Sequence, residues 1–116
     1  MDRNGIEENF EVIVKEGFLE KRSRFLKGWR KRWIVLTPNY MTTFKNQGSY
    51  SNPTEQIPLA EFSSIFSADE ELKRQNTFKM ETMDREFFFT AASESERNEW
   101  ISVLGQIIIH TGLRSN

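Results

Sequence analysis

Residues 15–36 read KEGFLEKRSRFLKGWRKRWIVL, two runs suited to extended chain on either side of a short basic linker. Side chains on a strand alternate between faces, so parity assigns each position. Gly17, Leu19 and Lys21 share one face of the first run. In the second run Arg30, Arg32, Ile34 and Leu36 share a face, while Trp29, Lys31, Trp33 and Val35 take the other. The two runs make a hairpin connected around Ser23 to Gly28. Positions that face the core further along therefore turn basic near the connection, at Lys21, Arg30 and Arg32. That arrangement describes a cationic mouth. Lys supplies a mobile point charge and Arg a planar fork that grips phosphate oxygens in pairs. The competing reading is that each side chain merely snorkels to solvent from a strand end.

The linker itself, Arg22-Ser23-Arg24-Phe25-Leu26-Lys27-Gly28, sets two large apolar residues at the tip of a basic loop. Exposed Phe25 and Leu26 are costly unless they pack or enter an apolar phase. Ringed by Arg22, Arg24 and Lys27, they fit insertion into the interfacial region of a bilayer. Folding back onto Trp29 is the alternative. The charge distribution points the same way. The net charge is −1, yet residues 15–32 hold eight basic residues against Glu16 and Glu20, so this segment is +6 and the remainder −7. A molecule so polarised orients its basic end toward an anionic partner.

Outward from the hairpin, short apolar runs alternate with turn residues, the pattern of an antiparallel sandwich or barrel. Strands are expected near 14–22, 29–37, 40–45, 56–59, 62–66, 77–83 and 86–91. Turns are expected at Lys27-Gly28, Pro38-Asn39, Gly48 through Pro53 and Met83-Asp84. Phe87-Phe88-Phe89 suits a packed strand. The character then changes. Ser93 with Glu96 three residues on forms a capping box. Trp100, Val103, Leu104, Ile107 and Ile108 recur at helical spacing, giving one apolar stripe over about four turns, with Gly112 as the stop. Residues 1–11 are polar and acidic without periodicity and are expected to form an N-terminal tail, residues 12–112 the folded domain and 113–116 a C-terminal tail.

With 116 residues, 37% hydrophobic and 28% charged, the composition is that of one globular domain. No cysteine occurs, which removes disulfides, thiolate metal sites and cysteine nucleophiles and points to a reducing compartment. No apolar run reaches the ~18 residues of a membrane span, the N-terminus lacks signal-peptide order, and Asp2 stands where myristoylation needs glycine. A cytoplasmic protein is expected, peripheral at the inner membrane face. The single histidine, His110, has no nucleophile or metal ligand grouped with it, so neither catalysis nor a metal or other cofactor is expected.

The same residues carry a family resemblance. Lys15 to Arg22 followed by Leu26 to Leu36 resembles the opening hairpin of a pleckstrin homology (PH) domain. Asn76-Thr77-Phe78, the Phe-rich strand and Ser93 through Trp100 resemble its late strands and C-terminal helix, so the similarity spans about residues 14–110. It implies a mostly β fold: a seven-stranded antiparallel β-sandwich or partly open barrel capped by a C-terminal α-helix. It also implies phosphoinositide binding at the open end. The headgroup-binding Lys of the first strand and the Lys/Arg-x-Arg of the second correspond to Lys21, Arg30 and Arg32. The third-strand Tyr of the family falls on Thr43, which weakens one headgroup hydrogen bond. Arg85 resembles a further basic contact used by some members.

The resulting expectation is a non-catalytic, monomeric membrane-targeting module. It would bind an anionic phospholipid, a phosphoinositide foremost and phosphatidic acid as rival, through Lys21, Arg30, Arg32, Arg22, Arg24, Lys27, Thr43 and Arg85. Phe25 and Leu26 would insert. The alternative is a protein-interaction module binding a peptide or small GTPase on the same fold. Nucleic acid is not expected, because the −7 remainder would repel a phosphate backbone beyond the hairpin.

Overall fold

The computed structural model describes residues 12–48 and 50–114, with side chains to Thr111. The expected tail over 1–11 lies outside the described residues, as do Ser49 and residues 115–116. Seven strands follow one another: β1 (Lys15–Arg22), β2 (Trp29–Leu36), β3 (Tyr40–Phe44), β4 (Glu55–Pro58), β5 (Ser64–Ser67), β6 (Thr77–Glu81) and β7 (Glu86–Thr90). Two helices complete the order, α1 (Asp69–Leu72) before β6 and α2 (Glu94–Arg114) at the end. All seven strands belong to one antiparallel sheet in the order β4-β3-β2-β1-β7-β6-β5. Its centre is its narrowest seam: β1 pairs with β7 only at Glu20↔Thr90 and Lys21↔Phe89, while β1 and β2 pair along their full length.

The turns form where Gly, Pro, Asn and Asp placed them. Pro38 and Asn39 close β2 onto β3 through Thr37 N–H donating to the Tyr40 carbonyl at 3.0 Å. Met83 and Asp84 close β6 onto β7, with Thr82 N–H on the Arg85 carbonyl at 2.8 Å. In the β1–β2 linker the left-handed position falls on Lys27 (φ 60°), one residue before the glycine. A non-glycine residue there costs of order 1 kcal/mol. Ser23 N–H donating to the Gly28 carbonyl at 2.7 Å, and Leu26 N–H to Ser23 Oγ at 3.3 Å, hold the linker closed.

Two segments depart from expectation. A 3-10 turn over Leu59–Glu61 separates the strands expected at 56–59 and 62–66, and the second of these, β5, starts only at Ser64. Leu59 and Phe62 are buried by this turn, so the apolar signal there served packing rather than pairing. Helix α1 had no sequence signal of its own. Asp69 organises it from the side: its carboxylate accepts from Asn76 N–H (3.1 Å), Thr77 N–H (2.8 Å), Thr77 Oγ1 (2.9 Å) and Arg97 (2.9 Å). Partial burial raises the Asp69 carboxyl, but the hydrogen bonds from Thr77, Asn76 and Arg97 prevail and hold it below the usual carboxylate range.

Helix α2 starts on the Ser93 cap, whose Oγ accepts Glu96 N–H at 3.1 Å. Its stripe covers the sheet as spaced. Trp100 and Leu104 are buried, and Val103, Ile107 and Ile108 pack against the core formed by Leu19, Ile34, Leu36, Phe78, Met80 and Phe89. The helix continues through Gly112 to Arg114, so it is longer than the expected four turns and leaves no tail at 113–114. One glycine costs a helix only about 1 kcal/mol relative to Ala, too little to stop it. The Trp100 ring lies over Gly17, where a Cβ would stand 3.5 Å from the indole. Helix and sheet thus lock together at the Gly17 end of β1, away from Lys21. Trp100→Ala should cost about 3–5 kcal/mol, read as a lowered midpoint in denaturant unfolding with the cleft residues untouched.

Candidate functional site

The β1–β2 register brings the predicted cations together. Lys21 stands directly opposite Arg30, and Arg32 opposite Leu19. Opposed residues in an antiparallel pair share a face, so all three cations leave the same face that Leu19 and Ile34 carry into the core. Like charges opposed across a ladder are destabilising. The Lys21–Arg30 pair is relieved on the Lys21 side by Glu55, whose carboxylate stands 3.0 Å from Lys21 Nζ. Lys21 and Arg30 line an open cleft of about 320 Å³ together with Arg22, Ser23, Arg24, Phe25, Arg32, Thr43, Thr54, Glu55 and Arg85.

Seven of the eight sequence-predicted polar site residues meet there. Lys27 does not. It lies across the hairpin, in a neighbouring groove of about 400 Å³ that it shares with Glu71, Asp84 and Glu86. Arg22 and Arg24 line both. The linker tip is open to solvent, Phe25 83% and Leu26 73% exposed, and it does not fold back onto Trp29, whose ring instead carries Arg74 at 4.4 Å.

Thr43 is only 1% exposed. Its hydroxyl is 2.5 Å from that of Thr54, and Thr54 Oγ1 also donates to the Thr43 carbonyl at 3.1 Å. The hydroxyl nearer the solvent side is that of Thr54, a residue that sequence reasoning missed because its partner is eleven positions away.

The larger omission is acidic. Glu55 opens β4 opposite Thr43, and its carboxylate spans the cleft wall. Oε1 lies 3.0 Å from Lys21 Nζ, and Oε2 accepts from Arg85 at 2.6 Å. The Phe87 ring floors the pair, 5.7 Å below Lys21 Nζ and 3.9 Å from the Arg85 guanidinium. Burial by itself raises the Glu55 carboxyl, but Arg85 and Lys21 outweigh it and hold it below its ordinary value. Arg30 and Arg32, by contrast, form no ion pair with any described residue; Arg32 reaches only the Lys31 carbonyl, at 3.1 Å. Among the described residues, Lys21 and Arg85 are thus the compensated cations of the cleft, while Arg22, Arg24, Arg30 and Arg32 have no ion pair. Among the described residues no His, Cys, Asp and Glu group by threes in a metal-holding cluster, and no helix is long and apolar enough to cross a membrane.

A cationic cleft at the open end of a helix-closed, seven-stranded sheet matches one known family along most of the chain: the PH domain model aligns with residues 13–108. The chain belongs to the PH domain family. Among its relatives, the pleckstrin homology domain-containing protein 1 of Arabidopsis thaliana is 28% identical over 99 residues, covering 82% of this chain and 68% of that protein. The phosphatidylinositol 4,5-bisphosphate-binding protein SLM2 of Saccharomyces cerevisiae is 46% identical over 54 residues, 45% of this chain and 8% of that protein. This chain therefore spans a small part of the latter. Among solved structures, the C-terminal PH domain of pleckstrin in complex with D-myo-Ins(1,2,3,4,5)P5 superposes with a TM-score of 0.69 at 30% identity, over 83% of this chain and 98% of that one.

Because Glu55 is depressed in the folded state, its ion pairs stabilise the PH domain fully above the unfolded carboxylate value, about 4.3. That stabilisation is lost as pH falls through the lower folded value. The stability gap between the parent and Glu55→Gln should therefore be constant near neutrality and shrink below about pH 4, measured by urea unfolding across pH.

Proposed function

We propose that this PH domain is a non-catalytic membrane-targeting module whose β1–β2 cleft binds the phosphorylated headgroup of an anionic phospholipid, a phosphoinositide in preference to phosphatidic acid. The observation that carries the reading is the convergence of Lys21, Arg30, Arg32 and Arg85 on one cleft, where Arg30 and Arg32 have no ion pair among the described residues. The complex of the pleckstrin PH domain with an inositol pentakisphosphate, and the bisphosphate binding in the name of the SLM2 relative, support the ligand class.

Arg30 and Arg32, which have no ion pair among the described residues, would meet the first phosphate. Their forks each offer parallel N–H donors, the geometry that a phosphate accepts two at a time. Arg22 and Arg24 extend the positive field along the linker, each cation near an anionic leaflet contributing roughly 1 kcal/mol. Phe25 and Leu26 would enter the interfacial zone. Full burial of such a side chain contributes about 1.5–3 kcal/mol and partial insertion less, so the combination gives reversible recruitment rather than a fixed anchor.

Two measurements separate headgroup recognition from insertion. Arg32→Ala should abolish sedimentation with phosphatidylcholine vesicles carrying phosphatidylinositol bisphosphate and abolish binding of the free inositol bisphosphate headgroup, with the melting temperature unchanged. Equal sedimentation of the parent with neutral and anionic vesicles, or none with either, would refute the function. Replacing Phe25 and Leu26 by Ser should weaken vesicle binding about tenfold, equivalent to ~1.4 kcal/mol, and leave headgroup binding in solution unchanged.

A further inference from the structure

The cleft's four inward cations are not equivalent, and the difference lies in one residue. Glu55 divides its carboxylate between Lys21 and Arg85, one oxygen to each. Both cations and Glu55 itself are largely withdrawn from solvent, so these pairs are screened less than ordinary surface ones. The carboxylate nevertheless fits its cations incompletely. It engages Arg85 through one terminal nitrogen only, and Arg85 Nε stays buried without any hydrogen-bond partner, alone in this among the buried side-chain polar atoms described. An unmet buried donor of a charged group is costly.

A phosphate at the same place is the better acceptor, with three or more oxygens to distribute and a higher charge. We propose that Glu55 is an internal stand-in for a headgroup phosphate, holding Lys21 and Arg85 in the empty cleft and giving them up to the phosphate that displaces it. The proposal rests on the headgroup reading above and adds a selectivity rule to it. A doubly charged phosphomonoester, as on a phosphoinositide ring, outcompetes one tethered carboxylate. A singly charged phosphodiester, as in phosphatidylserine, does not, because an intramolecular carboxylate already sits at high effective concentration. Glu55 therefore works as the repulsive element that specificity requires, set against weakly charged lipids. Arg30 and Arg32 take one phosphate without competition, and Lys21 with Arg85 admit a second only at the cost of Glu55.

Displaced, the Glu55 side chain has room beside it. A groove of about 230 Å³ opens beside it, lined by Arg24, Arg85, Phe87, Gln56, Glu61 and Asp84 as well as Glu55 itself. Glu61 and Asp84 line that groove and Lys21 does not, so the resting carboxylate favours the Lys21 side.

The test compares the full chain with Glu55→Gln on two vesicle types, phosphatidylcholine with phosphatidylinositol bisphosphate and phosphatidylcholine with phosphatidylserine. Glu55→Gln should bind the bisphosphate vesicles about tenfold more tightly and sediment measurably with the phosphatidylserine vesicles that the parent leaves in solution. A folded Glu55→Gln with parent affinity and parent selectivity overturns the inference while leaving headgroup binding intact. A parent that binds no anionic vesicle refutes the headgroup reading and this inference with it. Should the variant not fold, the parent decides alone. Saturation with free inositol bisphosphate should move the Glu55 side-chain carboxyl carbon resonance and raise its titration midpoint toward the ordinary value, as Lys21 and Arg85 leave it. A resonance that ignores the ligand overturns displacement.

Discussion

The register between β1 and β2 is the constraint from which the site follows. Eight consecutive pairs lock the two strands, Lys15 opposite Leu36 at one end and Arg22 opposite Trp29 at the other. Sliding either strand by one residue would turn Leu19 and Ile34 out of the core, so burial of those two side chains fixes the pairing. Fixed in that way, Lys21 and Arg30 have no choice but to face each other, and Arg32 must lie on the same side. The electrostatic cost at the open end is borne by apolar packing at the closed end. Trp100 over Gly17 belongs to that packing.

The two ends of β1 divide the labour. Toward Gly17 the sheet is covered by α2 and dry. Toward Lys21 it is uncovered, and strands β1, β2, β4 and the β6–β7 turn each deliver one or more polar side chains to the cleft. These side chains stand on strands or directly beside them, which limits their motion to rotamer changes. The linker is held differently. Its backbone is tied at Ser23 and Gly28, while Phe25 and Leu26 are presented outward to solvent. A rigid cationic cleft beside a protruding apolar tip suits a surface that is anionic at its skin and apolar just below.

Charge compensation gives the site a second level. Counting basic residues makes the mouth look uniformly positive. In three dimensions, Glu55 quenches Lys21 and Arg85, and Glu71, Asp84 and Glu86 surround the groove that takes Lys27. Among the described residues, the cleft cations left without an ion pair are Arg30 and Arg32 on β2 and Arg22 and Arg24 at the linker. The −7 remainder of the chain is in part distributed where it shapes the basic end, through Glu55 in particular, rather than merely balancing it from afar.

The fold was legible because its signals are local and periodic. Strand alternation, turn residues and the three-to-four spacing from Trp100 to Ile108 all act over a few residues, and the parity that grouped Lys21, Arg30 and Arg32 needs only a hairpin. Helix α1 was invisible, since Asp69 nucleates it through partners at Asn76, Thr77 and Arg97 rather than through its own four residues. Gly112 misled because glycine permits a helix end without compelling one. Glu55 and Thr54 were out of reach for a deeper reason. They precede or open a strand distant in sequence from Lys21 and Arg85, and only closure of the sheet sets their oxygens within bonding distance of the cleft. The sequence by itself determined which face carries the positive charge. Tertiary structure alone decided which of those charges stay free, because pairing depends on distances between strands that no local pattern encodes.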